Sequence, residues 1–163
     1  MWTLFRGVDV SVSNESPTDG AADWAVRRFE RVDTDAVVAL WEEAGLTRPW
    51  NDPRVDIERK LAVQPEGFLV AVTKDDEVIG SVMAGYDGHR GWLYYLATAA
   101  SHRGLGIARA LVAEAERVLE AMGCPKVQLM VREGNEHVLG FYDALGYERF
   151  TVANTGKRLV SDA

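Results

Sequence analysis

Apolar and polar positions along this chain follow two rhythms. Val37, Leu40, Trp41 and Ala44 return at the spacing of one helix face over residues 34–44. Asp33 stands where a cap would start that helix, and Gly45 where it would stop. After the irregular loop "LTRPWNDP", Asp52 followed by Pro53 opens a second helix, with the proline at its first position. The rhythm then changes. "GFLVAVT" and "EVIGSVMAGY", joined at "KDD", read as strands, and "YDGHRG", with the hairpin dipeptide Asp87-Gly88, leads to a third, "WLYYLAT". Helical spacing resumes from Gly106 to Met122 through Ile107, Leu111, Ala115, Val118, Leu119 and Met122, and Gly123 ends it. "KVQLMV" alternates as a strand. Asn135 caps a last helix carrying Val138, Phe141, Tyr142 and Leu145, which Gly146 ends, and "YERFTVA" and "GKRLV" read as closing strands.

The predicted order is βααβββαβαββ, a mixed α/β (α+β) domain with no internal repeat. The helix between "WLYYLAT" and "KVQLMV" makes those strands parallel neighbours, because a parallel pair needs a crossover connection. Residues 13–23, "SNESPTDGAAD", are polar and turn-rich and follow a possible short strand, "TLFRGVDVSV". The expected division is an N-terminal extension or linker over 1–22 and one domain over 23–163, a size that supports a full core.

Composition narrows the function classes. No apolar run is long enough to span a bilayer, and the first residues lack the apolar block and cleavage site of a signal peptide. Cys124 is the only cysteine, so no internal disulfide forms, and a small buried residue at a strand start is its expected role. A cytoplasmic protein, monomer or homodimer, with no membrane partner is the expectation. The formal net charge is −7 and the pI is about 5.0, which argues against a nucleic-acid partner. Against that background "SHRGLGIAR", residues 101–109, stands out: it holds His102, Arg103 and Arg109 and no acid.

Gly104 and Gly106 precede a helix. A helix start offers free N–H groups and the positive end of a dipole, and glycines there let a large anion approach the backbone. A phosphate site explains the pair; a helix start that only needs tight packing is the alternative. The stretch lacks the Lys-Ser/Thr of a P-loop. It also has Arg109 where a dinucleotide-binding fold wants its third glycine, and it comes late in the chain.

"RGLGIA", residues 103–108, matches the Arg/Gln-x-x-Gly-x-Gly/Ala signature, and "NEHVLGFYDALGYE", residues 135–148, matches the second motif, of the GNAT (GCN5-related) N-acetyltransferases. The element order fits from about residue 24 onward. "RPWNDP…DIERK", "GYDGHRG…YYL" and "GCPK" resemble the small bacterial YpeA-type acetyltransferases, and residues 1–20 have no counterpart in that resemblance. The resemblance implies the GNAT fold: a mixed central sheet of about six to seven strands flanked by about four helices, splayed between "WLYYLAT" and "KVQLMV". It also implies acetyl-CoA as co-substrate and an amine acceptor, small molecule or peptide or protein. No metal is expected.

By the same resemblance the pantetheine arm pairs with the backbone at Leu96, Ala97 and Thr98, where one N–H serves as oxyanion donor. The N–H groups of Gly104, Leu105, Gly106, Ile107 and Ala108 take the pyrophosphate beside Arg103. Arg109 is either a phosphate contact or a solvent-facing residue. Asn135 caps its helix and can reach the arm. Tyr142 matches the general acid, since a phenol keeps its proton at neutral pH. The strand position that holds a glutamate base in some protein N-terminal acetyltransferases is Met130 here. Asp87 and His89 are the side-chain candidates for that role, with plain turn positions, or a water relay, as the alternatives. Trp50 and Asn51 wall the acceptor side together with Asp52 and Tyr86, Asp52 also serving as a helix cap. An acetyl-CoA-dependent N-acetyltransferase is the expected function; the competing reading is a non-catalytic acyl-CoA-binding or regulatory domain on the same fold.

Overall fold

The computed structural model describes residues 23–162; the possible strand "TLFRGVDVSV" lies outside them. Five strands form one sheet in chain order: β1 (Trp24–Arg28), β2 (Phe68–Thr73), β3 (Val78–Tyr86), β4 (Gly91–Thr98) and β5 (Val127–Gln128). The first four pair antiparallel, and β5 pairs parallel to β4. Four α-helices, α1 (Thr34–Glu43), α2 (Pro53–Ala62), α3 (Ile107–Ala121) and α4 (Glu136–Asp143), cover the two faces.

Each face has its own apolar cluster. Helix α1 sets Val37, Leu40 and Trp41 against Phe68, Val70 and Met83. Helix α3 sets Ile107, Leu111, Ala115 and Leu119 against Leu69, Ile79, Val82 and Leu93. Burying one such aliphatic side chain is worth roughly 1.5–3 kcal/mol, so the six buried residues of α3 fix it firmly on the sheet. It crosses close: a Cβ on Gly80 of β3 would stand 2.9 Å from Ile107 Cγ2 and 3.0 Å from Leu111 Cδ1.

Local signals land where the sequence puts them. Gly45 at φ +66° and Gly123 at φ +77° follow the ends of α1 and α3. Asp52 Oδ1 accepts the Arg54 N–H at 2.8 Å, and Pro53 opens α2.

The sheet is smaller than expected. "KVQLMV" contributes only Val127 and Gln128 to the ladder, through Gly91↔Val127 and Trp92↔Gln128. "YERFTVA" and "GKRLV" form no strand. Beyond Gln128 the chain leaves β4, so no edge is offered on which further strands could pair. Side chains hold the closing segment instead. Tyr147 donates to Glu116 at 2.6 Å, Arg149 pairs with Asp143 at 2.5 Å, and the Lys126 ammonium sits 4.1 Å from the Phe150 ring centroid.

Two expected caps also differ. Asn135 occupies the N-cap position of α4, yet its side chain makes no cap hydrogen bond. Asp33 does not cap α1; it is buried, accepts two hydrogen bonds from Arg27 at 2.7 and 2.8 Å, and takes the Glu30 N–H at 2.8 Å. Burial pushes the Asp33 carboxyl up, but the Arg27 guanidinium and the Glu30 N–H outweigh it and hold it below its usual value.

A depressed carboxyl stabilises the fold above the unfolded-state value of about 3.9, and that contribution fades as pH falls through the lower folded-state value. Asp33→Asn should therefore cost about 2 kcal/mol near neutral pH. In urea titrations the gap to the native protein should narrow as the pH falls below the usual aspartate range.

Candidate active site

Strand β4 organises the site. Its pairing with β3 runs Gly80↔Thr98 and Ser81↔Ala97, then resumes at Met83↔Tyr94. Val82 alone therefore faces both Tyr95 and Leu96, a β-bulge, and Tyr95 sits at φ +50°. The bulge breaks the alternation of side chains. Leu93 packs in the α3 cluster, yet Tyr95, two residues on, packs with the α1 cluster, and from there Leu96 and Ala97 alternate in the new phase.

At the end of β4, Thr98 Oγ1 is buried and has no hydrogen-bond partner. Such a hydroxyl carries an uncompensated desolvation cost until something fills the position beside it. A short 3₁₀ turn, Ala100–His102, follows, with the Ala100 N–H donating to Glu43 Oε1 at 3.2 Å. The exposed loop 103–106 comes next. Gly104 and Gly106 have φ of +80° and +79°, and a Cβ on either would point into open space. The start of α3 has no side-chain cap and no acid in its first turn, so its N–H groups at Ile107 and Ala108 face outward unanswered. Among the described residues, Arg103 and Arg109 form no ion pair. Leu105 is 55% exposed on the same loop. His102 Nδ1 shares a 2.9 Å hydrogen bond with Ser101 Oγ.

Tyr142 lies on α4, in the apolar core. Its ring belongs to the cluster that contains Leu93 and Ile107 and on which Leu96 packs. It meets Phe141 and Tyr147 edge-on at 5.0 and 5.2 Å. The hydroxyl has no hydrogen-bond partner among the described residues, and the residue lines a cavity of about 1040 Å³ between α4, β5 and the closing segment. Burial pushes the phenol up to about 12, so it holds its proton firmly. Asn135 is exposed at the start of the same helix.

The acceptor-side residues divide. Trp50 is 62% exposed, so it is not core. Asn51 Nδ2 donates to Asp56 Oδ2 at 2.6 Å, and the Tyr95 hydroxyl donates to the same oxygen at 2.7 Å, tying the α1–α2 loop to the bulge. The closing segment joins them: Arg158 donates to Asn51 Oδ1 at 3.0 Å, and Asp162 pairs with Arg59 at 2.5 Å and accepts the Asp52 N–H at 3.2 Å. Tyr95, Asp56 and Ser81 were missed in the sequence, since nothing local to them marks a site.

Tyr86, Asp87 and His89 stand elsewhere, at the β3–β4 turn. With about 3.3 Å of rise per residue, His89 is on the order of 20 Å along β4 from Tyr95. Asp87 Oδ1 accepts the N–H groups of His89 and Arg90, each at 2.7 Å, and Oδ2 accepts Trp92 Nε1 at 3.1 Å. Those donors lower the Asp87 carboxyl to about 2, far too acidic to take a proton from an amine. Tyr86 is held by Gln64 through its N–H at 2.8 Å and its carbonyl at 2.6 Å, and its hydroxyl donates to Gly88 O. The turn thus lies well along β4 from the bulge, and the Asp87 carboxylate there is already spent on three donors. Met130 is 61% exposed beyond β5, and Cys124 is half-buried with Sγ 3.3 Å from Lys126 O. No helix among the described residues is long and apolar enough to cross a membrane.

Comparison with known proteins agrees with this geometry. A family model described as the acetyltransferase (GNAT) family matches residues 34–147. An acetyltransferase of Pectobacterium atrosepticum is 53% identical over 137 residues, which are 84% of this chain and 96% of that protein. The solved structure of AAC(6')-Iy in complex with a bisubstrate analog, CoA-S-monomethyl-acetylneamine, shares the fold with a TM-score of 0.70 at 20% identity, covering 83% of this chain and 99% of that one. The NatC complex bound to Gag peptide and CoA does so with a TM-score of 0.68 at 23% identity, covering 79% and 87%. With a bulged β4, a glycine loop at the start of α3 and a family match that spans most of the domain, this chain belongs to the GNAT acetyltransferase family.

Proposed function

We propose that the protein is an acetyl-CoA-dependent N-acetyltransferase that passes an acetyl group directly to a primary amine, of a small molecule or of a peptide or protein. The observation that carries this reading is Tyr142: a buried, firmly protonated phenol whose hydroxyl has no partner and which lines a cavity. Acetyl-CoA would supply an activated thioester with a good sulfur leaving group. The two solved relatives named above contain a CoA-derived analog or CoA, which supports the same co-substrate here.

The residues present fit that co-substrate. The N–H groups of Gly104, Leu105, Gly106, Ile107 and Ala108 would hold the diphosphate, with Arg103 adjacent as a cation that forms no ion pair among the described residues. Leu96, Ala97 and Thr98 would align the amide-bearing arm, and the orphan Thr98 hydroxyl offers it a hydrogen bond. An N–H of this stretch, fixed in advance, would stabilise charge on the carbonyl oxygen in the transition state. Tyr142 would donate its proton to the departing sulfur. Asn135, exposed beside α4, is free to contact the arm. The Asp56 carboxylate at the bulge is already engaged by Asn51, Arg59 and the Tyr95 hydroxyl, so in this reading the proton lost by the amine would pass through water to solvent. Trp50 would present its exposed ring to the acceptor, beside Asn51 and Asp52.

The direct test is CoA release from acetyl-CoA across a panel of amines and peptides. Release that depends on one acceptor supports the reading, and none under any condition overturns it. Tyr142→Phe keeps the ring and deletes the proton donor. It should lower kcat by about 10²- to 10⁴-fold while calorimetry finds acetyl-CoA affinity nearly unchanged. Arg103→Ala removes a charge-assisted contact of roughly 1.5–3 kcal/mol, so acetyl-CoA should bind about ten- to a hundredfold more weakly. Thr98→Val should act in opposite directions. The ligand-free protein should gain about 1 kcal/mol in urea unfolding, because a buried unpaired hydroxyl is gone, while acetyl-CoA affinity falls.

A further inference from the structure

The β4 backbone at residues 95–98 is held by side chains that make no contact with a substrate in the reading above. Ser81 of β3 is fully buried inside the apolar cluster around α1. Its hydroxyl has one proton and two lone pairs. The Trp41 indole N–H donates to it at 2.8 Å, and it donates in turn to the carbonyl of Tyr95 at 3.1 Å. The Tyr95 carbonyl is the one the bulge takes out of the ladder, so Ser81 supplies the partner that β3 backbone does not. The Tyr95 ring stacks on Trp41 with centroids 4.0 Å apart, and its hydroxyl is anchored on Asp56. An aromatic residue at φ +50° is uncommon and persists only where its surroundings over-determine it. Here three contacts do so: the carbonyl, the ring and the hydroxyl.

A polar serine costs free energy in an apolar cluster that alanine would fill without penalty. The Trp41–Ser81–Tyr95 relay uses every polar group it contains, and its one structural output is the conformation of the bulge. We propose that Ser81 is a positioning residue, which through Trp41 and the Tyr95 carbonyl fixes the bulge so that the N–H groups of residues 96–98 meet the acyl group in a single orientation. The role in catalysis rests on the acetyl-transfer reading; the role in holding the bulge does not.

Ser81→Ala deletes both hydrogen bonds. Amide hydrogen exchange at Tyr95, Leu96 and Ala97 should accelerate about tenfold or more beyond the change at Leu69 and Val70 of β2. The kcat for the true acceptor should fall about tenfold or more, with acetyl-CoA affinity within about threefold, since the glycine loop and Arg103 are untouched. Val37→Ala, in the same cluster but outside the relay, serves as a control of similar destabilisation and should keep kcat within about twofold. If Ser81→Ala does not fold, Ser81→Cys takes its place: it refills the volume with a weak hydrogen-bonding group. Unchanged exchange at the bulge overturns the proposal, and so does a kcat equal to that of the Val37→Ala control. Absence of acetyl transfer by the native protein sinks the acetyl-transfer reading instead, and the exchange measurement still decides whether Ser81 holds the bulge.

Discussion

The left-handed residue in the middle of β4 governs how the rest of the domain is used. A regular strand between two helical layers alternates strictly and commits every backbone group to its neighbours. With Tyr95 at φ +50°, β4 gains one residue on β3, turns the Tyr95 ring onto Trp41 and leaves a carbonyl for a side chain to satisfy. Below the bulge, Gly91 and Trp92 still pair with β5; above it β5 has no ladder partner at all. The region around Leu96–Thr98 therefore lies beside a gap in the sheet, and the orphan Thr98 hydroxyl sits at its end.

The same divergence explains the closing segment. Alternation in "YERFTVA" satisfies the side-chain condition for a strand, but a strand also needs a neighbour with unpaired N–H and C=O groups. Two paired residues in β5 are too few to template one. The chain after α4 is instead pinned at points, by Glu116 and Asp143 near its start and by Asn51, Asp52 and Arg59 near its end. It thereby runs from the cavity beside Tyr142 to the α1–α2 loop, and so contributes to both sides of the candidate site.

Legibility in the sequence followed the range of each interaction. The helix stops at Gly45 and Gly123, the Asp52 cap and the glycine loop were readable because each depends on a few adjacent residues. Asp33 looked like a cap for the same local reason, but the partner that claims it, Arg27, lies on another element. Asp87 and His89 looked like candidates because their residue types suit proton transfer. Only the hydrogen-bond geometry of the turn shows that Asp87 is spent on three donors. The Trp41–Ser81–Tyr95 relay joins residues from three elements, and no spacing in the chain announces it.

Charge distribution raises an apparent conflict: a chain of net charge −7 is read here as binding a polyanion. The range of each force resolves it. At physiological ionic strength the Debye length is about 8 Å, so acids elsewhere on the domain are largely screened from the loop at 103–106. Within that radius the terms are favourable. The start of α3 carries roughly half a positive charge from its dipole and no first-turn acid, and among the described residues Arg103 and Arg109 form no ion pair. The outward N–H groups also act at hydrogen-bond distance, where screening is weakest. The acids of the α1–α2 loop and α2 do not offset these charges: Asp52 accepts the Arg54 N–H, and Asp56 is taken by Asn51, Tyr95 and Arg59. One domain can thus be acidic overall and still locally cationic at the start of α3.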